Sequence, residues 1–169
     1  MDDRKVRGSI INSYLSFIER KWGTFGKEKC LKDLKINGKI KDGFYYPNTI
    51  KLDILNWIKD KKGEGYIVEA GKYLVKNLRT LSWLVRHETP IDIAKKIEKE
   101  YHEIYTFGEL RIKGNSGNIK VILKKQKEDD LTCLAYKGIL EGILEKTDNI
   151  GSVEIKSCLD DLCEFEVNY

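Results

Sequence analysis

Several signatures are missing from this chain, and each absence removes a class of function. No P-loop, GxGxxG, HExxH, GxSxG or CxxC string occurs, which leaves no phosphate-cradling loop, zinc-protease pair or nucleophile elbow to build an enzyme on. Histidine is scarce: only His87 and His102 are present, and neither stands beside a nucleophile or a paired carboxylate. A non-enzymatic role is the expectation. No run of about 18 apolar residues exists, so no transmembrane helix is expected. The N-terminal stretch MDDRKVRGSIINSYLSFIERKW scatters charges through its apolar positions and has no continuous apolar core of the secretory kind, which points to the cytoplasm. Repeats, low-complexity tracts and linkers are absent too. The 169 residues suit a single domain, 1–169, with a sizeable core.

One-sided charge is also lacking. The net charge is +4 with 34% charged residues, and the two signs are interspersed. Even the densest basic stretch, KEKCLKDLKINGKIKD, is interrupted by Glu28, Asp33 and Asp42. A nucleic-acid binder concentrates its Lys and Arg on one face or in blocks, so no nucleic-acid or membrane partner is expected. The single Gln126 against many Lys and Glu is a thermophile-like balance that low-GC coding also produces. In a thermophile an intracellular disulfide is admissible.

What is present reads as helices first and strands second. Ile10, Ile11, Tyr14, Phe17, Ile18 and Trp22 recur at helical spacing up to Gly23, and a short helix follows over 27–34. NGKIKDGFYYP is a loop. NTIKLDILNWIKDKKG is a helix with Asn48 or Thr49 as N-cap and Gly63 as terminator. A wide apolar stripe over 65–86 marks the central buried helix, with a break expected near Gly71. Thr89, Pro90 and Asp92 open another helix. The period then changes to two: FGELRIKG and NIKVILKK form a hairpin around NSGN, a helix spans 132–146, and SVEIKS with CEFEVNY forms a second hairpin. The fold class is α+β, a helical half packed on a four-stranded antiparallel sheet that the 132–146 helix crosses. Gly138 and Gly142 leave a bare helix stripe, for packing on the sheet or a neighbouring helix.

Cys158 and Cys163 face one another across the last hairpin, and Cys133 sits in the first turn of the preceding helix. Three thiolates and one carboxylate, from Glu154, Asp160 or Asp161, would complete a tetrahedral zinc site. A Cys158–Cys163 disulfide and plain core burial are the other readings, with core burial the ordinary fate of cysteine. Cys30 lies far away and is expected to take no part. His102, near Tyr101 and Tyr105, is either an axial heme ligand or a partly exposed histidine with an ordinary hydrogen bond.

The strings VRGSIINSYLSFIERKWG, FYYPNTIKLDILNWI, YHEIYTFGELRI and YKGILEGILEKTDNIGSVEIKSCLDDLCEFEV, in that order, resemble the superfamily of heme–nitric-oxide-binding (H-NOX) domains, 4-vinyl-reductase-type domains and TRAPP tethering subunits. A prokaryotic H-NOX-like branch is the best match. The resemblance implies a buried cavity between the helices and the sheet for a small apolar ligand, lined by Leu74, Leu78, Leu81, Trp83, Tyr101, His102, Tyr105 and Phe107. Those residues are plain core if no cavity exists. H-NOX domains hold heme through a His near the place of His102 and anchor its propionates with Tyr-x-Ser-x-Arg. Here that stretch reads DDLTCLAYKG, so heme is not expected. Some vinyl-reductase-type domains bind zinc through three cysteines in the order of Cys133, Cys158 and Cys163. The resemblance thus implies zinc there, with Glu154 one residue away from the family's usual acidic position. A small-molecule-binding or sensory domain acting through a partner is the leading expectation. A dimeric scaffold subunit of TRAPP type is the alternative.

Overall fold

The computed structural model describes residues 3–77, 88–124, 130–159 and 161–169. Strand β1, Lys5–Arg7, leads directly into helix α1, Gly8–Asp33. Gly23 adopts φ 72°, ψ 179° inside α1, so the two helical stretches read from the sequence meet at a kink rather than across a loop. Strand β2, Tyr45–Pro47, precedes helix α2, Asn48–Lys62, and Gly63 ends that helix at φ 83°. Helix α3 runs Gly65–Asn77, and α4 runs Pro90–Ile104. The hairpin β3, Glu109–Asn115, and β4, Asn118–Lys124, comes next. It is followed by α5, Asp130–Lys146, and the hairpin of β5, Ser152–Leu159, with β6, Leu162–Asn168.

The α+β class holds. The sheet is antiparallel in the order β3-β4-β6-β5, and its inward residues Ile119, Val121, Leu123, Cys163, Phe165 and Val167 alternate with solvated ones. Helix α4 starts as its sequence dictates: the Thr89 side chain accepts from the Asp92 backbone, the Asp92 carboxylate answers, and Pro90 stands in the first turn. Three readings need correction. A small β1–β2 sheet, Lys5 to Pro47 in antiparallel register, was not foreseen, because three-residue strands carry no visible alternation. Helix α2 is preceded by Pro47 with no side-chain cap, and Asn48 is buried inside the first turn. Helix α3 passes through Gly71 without a break.

Gly71 serves packing instead. A Cβ on Gly71 would come 2.1 Å from the Ala135 carbonyl oxygen, and one on Gly138 would come 2.0 Å from that of Val68. The bare stripe of α5 therefore lies backbone to backbone on α3. Gly142 is less tight, its Cβ reaching 3.1 Å from Lys72. On the outer rim of this contact Lys72 Nζ sits 2.8 Å from Glu141 and 2.9 Å from Glu145, and Lys76 lies 2.8 Å from Glu145. Lys76 first, then Lys72, holds the Glu145 carboxyl below its ordinary 4.5. Glu141 and Glu145 push the Lys72 ammonium above its ordinary 10.5.

Two outcomes follow from this contact. Gly138→Ala forces a methyl into a carbonyl and should cost about 1–3 kcal/mol in urea unfolding, whereas Gly142→Ala should cost clearly less. Lys72→Met should lower stability by about 0.2–1 kcal/mol near neutral pH. Because Glu145 is depressed, its share is complete above 4.5 and is lost as pH falls through the lowered folded value. The gap between wild type and Lys72→Met should therefore close in acid; a gap constant down to about pH 2 would contradict the pairing.

Candidate functional site

Helix α4 presents Ile97, Glu100, Tyr101 and Ile104 along one stripe, the i, i+3, i+4, i+7 pattern of a single helix face. That stripe bounds a cleft of about 220 Å³, closed on the other sides by Arg7 and Ile10, by Leu74 and Val75 of α3, and by Tyr136 and Ile139 of α5. The walls are apolar and aromatic. Exposed Glu100 and Glu103 and half-buried Arg7 stand at the polar end. The strand β1 is fixed against α4 there: Val6 bridges Tyr105, Thr106 N–H donates to the Lys5 carbonyl at 3.1 Å, and Tyr45 Oη donates to the Glu103 carbonyl at 2.8 Å. Arg7 is thereby carried to the end of α4.

The aromatic wall is a connected stack. Tyr101 and Tyr105 stack with ring centres 5.1 Å apart and planes tilted by 27°, and Phe107 meets Tyr105 edge-on at 5.6 Å. The ammonium of Lys51, a residue only 1% exposed, sits 5.1 Å from the Tyr105 ring centre. This cation–π contact backs the wall from the α2 side. Lys51 shares the i, i+3, i+4, i+7 spacing of Ile54, Leu55 and Ile58 on the buried face of α2; its spacing signals burial, and its charge alone reads as a solvated side chain snorkelling outward.

Of the residues expected in the pocket, Leu74, Tyr101 and Tyr105 line the cleft. Phe107 is buried behind it with Arg4 over its ring. His102 is exposed and off the lining stripe, roughly a third of a turn from Tyr101. Leu78, Leu81 and Trp83 lie outside the described residues. The position of the cavity also differs from expectation. It lies among the helices, while the gap between α4, α5 and the sheet holds only about 10 Å³ because Leu110, Val121, Leu140 and Ile143 fill it. Arg7, Ile10, Val75, Ile97, Tyr136 and Ile139 were missed, since four separated segments supply the wall; the α4 stripe was the one signal available.

The three cysteines converge at the start of α5. Their Sγ atoms all lie within 4.8 Å of one another. Cys133 and Cys163 are joined as a disulfide with Cα atoms 6.4 Å apart. Cys158, opposite Cys163 in the β5–β6 register, has its Sγ 2.7 Å from that of Cys163. The disulfide thus ties helix to sheet, not strand to strand as the hairpin suggested. Glu154 is exposed and ion-paired with Lys156 at 2.5 Å, away from the cluster. The carboxylate beside the thiols belongs to Asp130, whose Oδ1 accepts from Cys158 Sγ at 3.4 Å. Asp160 lies outside the described residues. Cys30 is buried elsewhere, its thiol pushed up to about 12 by burial and the nearby Asp33.

No protein-family model matches the chain, and no curated protein sequence matches it. Solved structures do. An H-NOX protein from S. oneidensis in the Fe(II) ligation state is 13% identical, covers 96% of this chain and 95% of its own, and superposes with a TM-score of 0.78. An oxygen-binding H-NOX domain related to soluble guanylate cyclases, solved as its oxygen complex, is 12% identical over 96% and 94%, with a TM-score of 0.77. A structure probing heme distortion in the H-NOX family is 13% identical over 95% and 92%, with a TM-score of 0.74. The chain has the H-NOX fold, and the resemblance read from its strings is borne out at that level. No helix is long and apolar enough to cross a membrane among the described residues.

These neighbours also overturn the expectation that heme is unlikely. That expectation rested on the lost Tyr-x-Ser-x-Arg anchor, yet solved structures of this fold are described by their heme distortion and heme redox potential. The cleft also holds a cation that no scan of the DDLTCLAYKG stretch reveals: Arg7 arrives from β1, and its Nη1 donates to the Glu103 carbonyl at 3.5 Å. If the cleft is the apolar site, an environment-sensitive apolar dye should bind the protein with enhanced emission. Ile97→Trp should abolish that enhancement and His102→Ala should leave it unchanged; the reverse pattern would move the site to the outer face of α4.

Proposed function

We propose that this chain is a small-molecule-binding sensory domain that seats heme in the cleft between α1, α3, α4 and α5. The cleft is what carries the reading: an apolar, tyrosine-rich wall whose polar end holds Arg7 beside the exposed Glu100 and Glu103, in a fold whose solved examples include heme domains. The donor set suits the group. Tyr101, Tyr105 and Tyr136 bring phenols, a side chain able to ligate heme iron, and Arg7 offers a guanidinium to a carboxylate. When bound, heme supplies an iron centre for a small axial ligand. Ile10, Leu74 and Val75 exclude water from the ring, and Lys51 holds Tyr105 in place from behind. At about 220 Å³ the cleft is smaller than the ~300–1,000 Å³ usual for small-molecule sites. Admitting the ring would require half-buried Ile104 and Ile139 to move outward.

Titration of the purified protein with hemin should produce a saturable Soret band distinct from that of free hemin. Arg7→Ala should weaken binding about tenfold, in line with loss of a charged hydrogen bond of ~1.5 kcal/mol. A phenylalanine at one of the three tyrosines should shift the band, and His102→Ala should not. A spectrum identical to free hemin at all ratios would defeat the heme reading, and native mass spectrometry would then show whether another small apolar ligand occupies the cleft.

A second reading concerns the reduced cysteines, supported by three sulfurs within 4.8 Å and a carboxylate at 3.4 Å. We infer that, once reduced, Cys133, Cys158, Cys163 and Asp130 form a four-donor zinc site of sulfur and oxygen ligands. Zinc added to reduced protein should raise the melting temperature. Asp130→Asn should weaken that effect and Glu154→Gln should not.

A further inference from the structure

The Cys133–Cys163 disulfide is sealed in the core. Cys133 is 1% exposed and Cys163 is 0% exposed, so a reductant in solution has no direct approach to either sulfur. Cys158 is half-buried on the adjacent strand and its Sγ already sits 2.7 Å from Cys163 Sγ. Cys30, the remaining thiol of the chain, is fully buried and held protonated by its apolar surroundings, which removes it as a nucleophile.

We propose that Cys158 is the exchange thiol of a three-cysteine relay, moving the disulfide between a helix–sheet tie and a cross-hairpin tie and passing electrons from a dithiol reductant to the buried bond. Cys158 loses its proton to water, and the thiolate attacks Cys163 Sγ. The Cys158–Cys163 bond forms as the Cys133–Cys163 bond breaks, and the electron pair leaves on Cys133, which takes up a proton. One disulfide and one thiol stand on each side, so this step needs no oxidant. The bond that results is accessible through Cys158, where an external dithiol completes reduction by the same chemistry.

Geometry favours both partners of Cys163. Cys158 and Cys163 are direct partners in the β5–β6 register, and opposed residues of an antiparallel pair hold their Cα atoms about 4.5–5.5 Å apart, inside the range a disulfide spans. The transfer changes what is constrained. The loop closed by the bond shrinks from a separation of 30 residues to 5, and α5 loses its covalent tie to the sheet. Tyr136, one turn beyond Cys133, lines the cleft, so the relay also sets how firmly one cleft wall is held. That last consequence rests on the cleft being the binding site; the exchange does not.

The test is disulfide mapping of protein purified without reductant, quenched in acid and alkylated before digestion. Wild type should yield both Cys133–Cys163 and Cys158–Cys163 linked peptides. Cys158→Ser should yield Cys133–Cys163 alone and be reduced by dithiothreitol at least tenfold more slowly. Cys133→Ser should yield Cys158–Cys163. If a variant fails to fold, iodoacetamide treatment of folded wild type blocks Cys158 and should slow reduction by the same factor. Equal reduction rates with and without Cys158, or four alkylatable thiols after mild oxidation, would overturn the relay. None of these readouts involves heme, so failure of the cleft reading and failure of the relay register separately.

Discussion

The backbone contact between α3 and α5 is the constraint on which the rest depends. Gly71 and Gly138 leave no room for a Cβ on either helix, and this forces the two axes closer than side chains otherwise permit. Leu74 and Val75 on one helix and Tyr136 and Ile139 on the other flank this contact and line the cleft, where α4 completes the enclosure.

One helix carries every feature of interest. Along α5 come the cysteine of the helix–sheet tie, then Tyr136 and Ile139 at the cleft, with Gly138 and Gly142 interleaved at the α3 contact. The sheet, by contrast, is filled. Its inner face leaves only about 10 Å³ against α4 and α5, so it works as a rigid backing rather than as a binding surface.

The correction over heme has a physical lesson in it. A linear motif reports only what lies within its own stretch of chain. Arg7 reaches the cleft because β1 pairs with β2 and bridges Tyr105, contacts between positions about 40 and 100 residues apart, on the order of the separations that make such pairings invisible to a window of local pattern. His102 shows the converse. Its sequence position matched expectation, but helical phase turned it to solvent. Glu154 was likewise near its expected place, and a neighbouring lysine claimed it.

The sequence by itself determined the class of fold, the strand pairing within each hairpin and the limits of α4, because alternation, turn glycines and a Thr-Pro-x-Asp start act over a few residues. It also marked the three cysteines and the bare stripe of α5 as features that need a partner. Which partner was settled only in three dimensions. Gly138 could face sheet or helix, Cys163 could bond across its hairpin or to α5, and the cavity could lie on the sheet or among the helices. Each choice depends on how whole elements dock, and docking is decided by the sum of many weak contacts between distant segments.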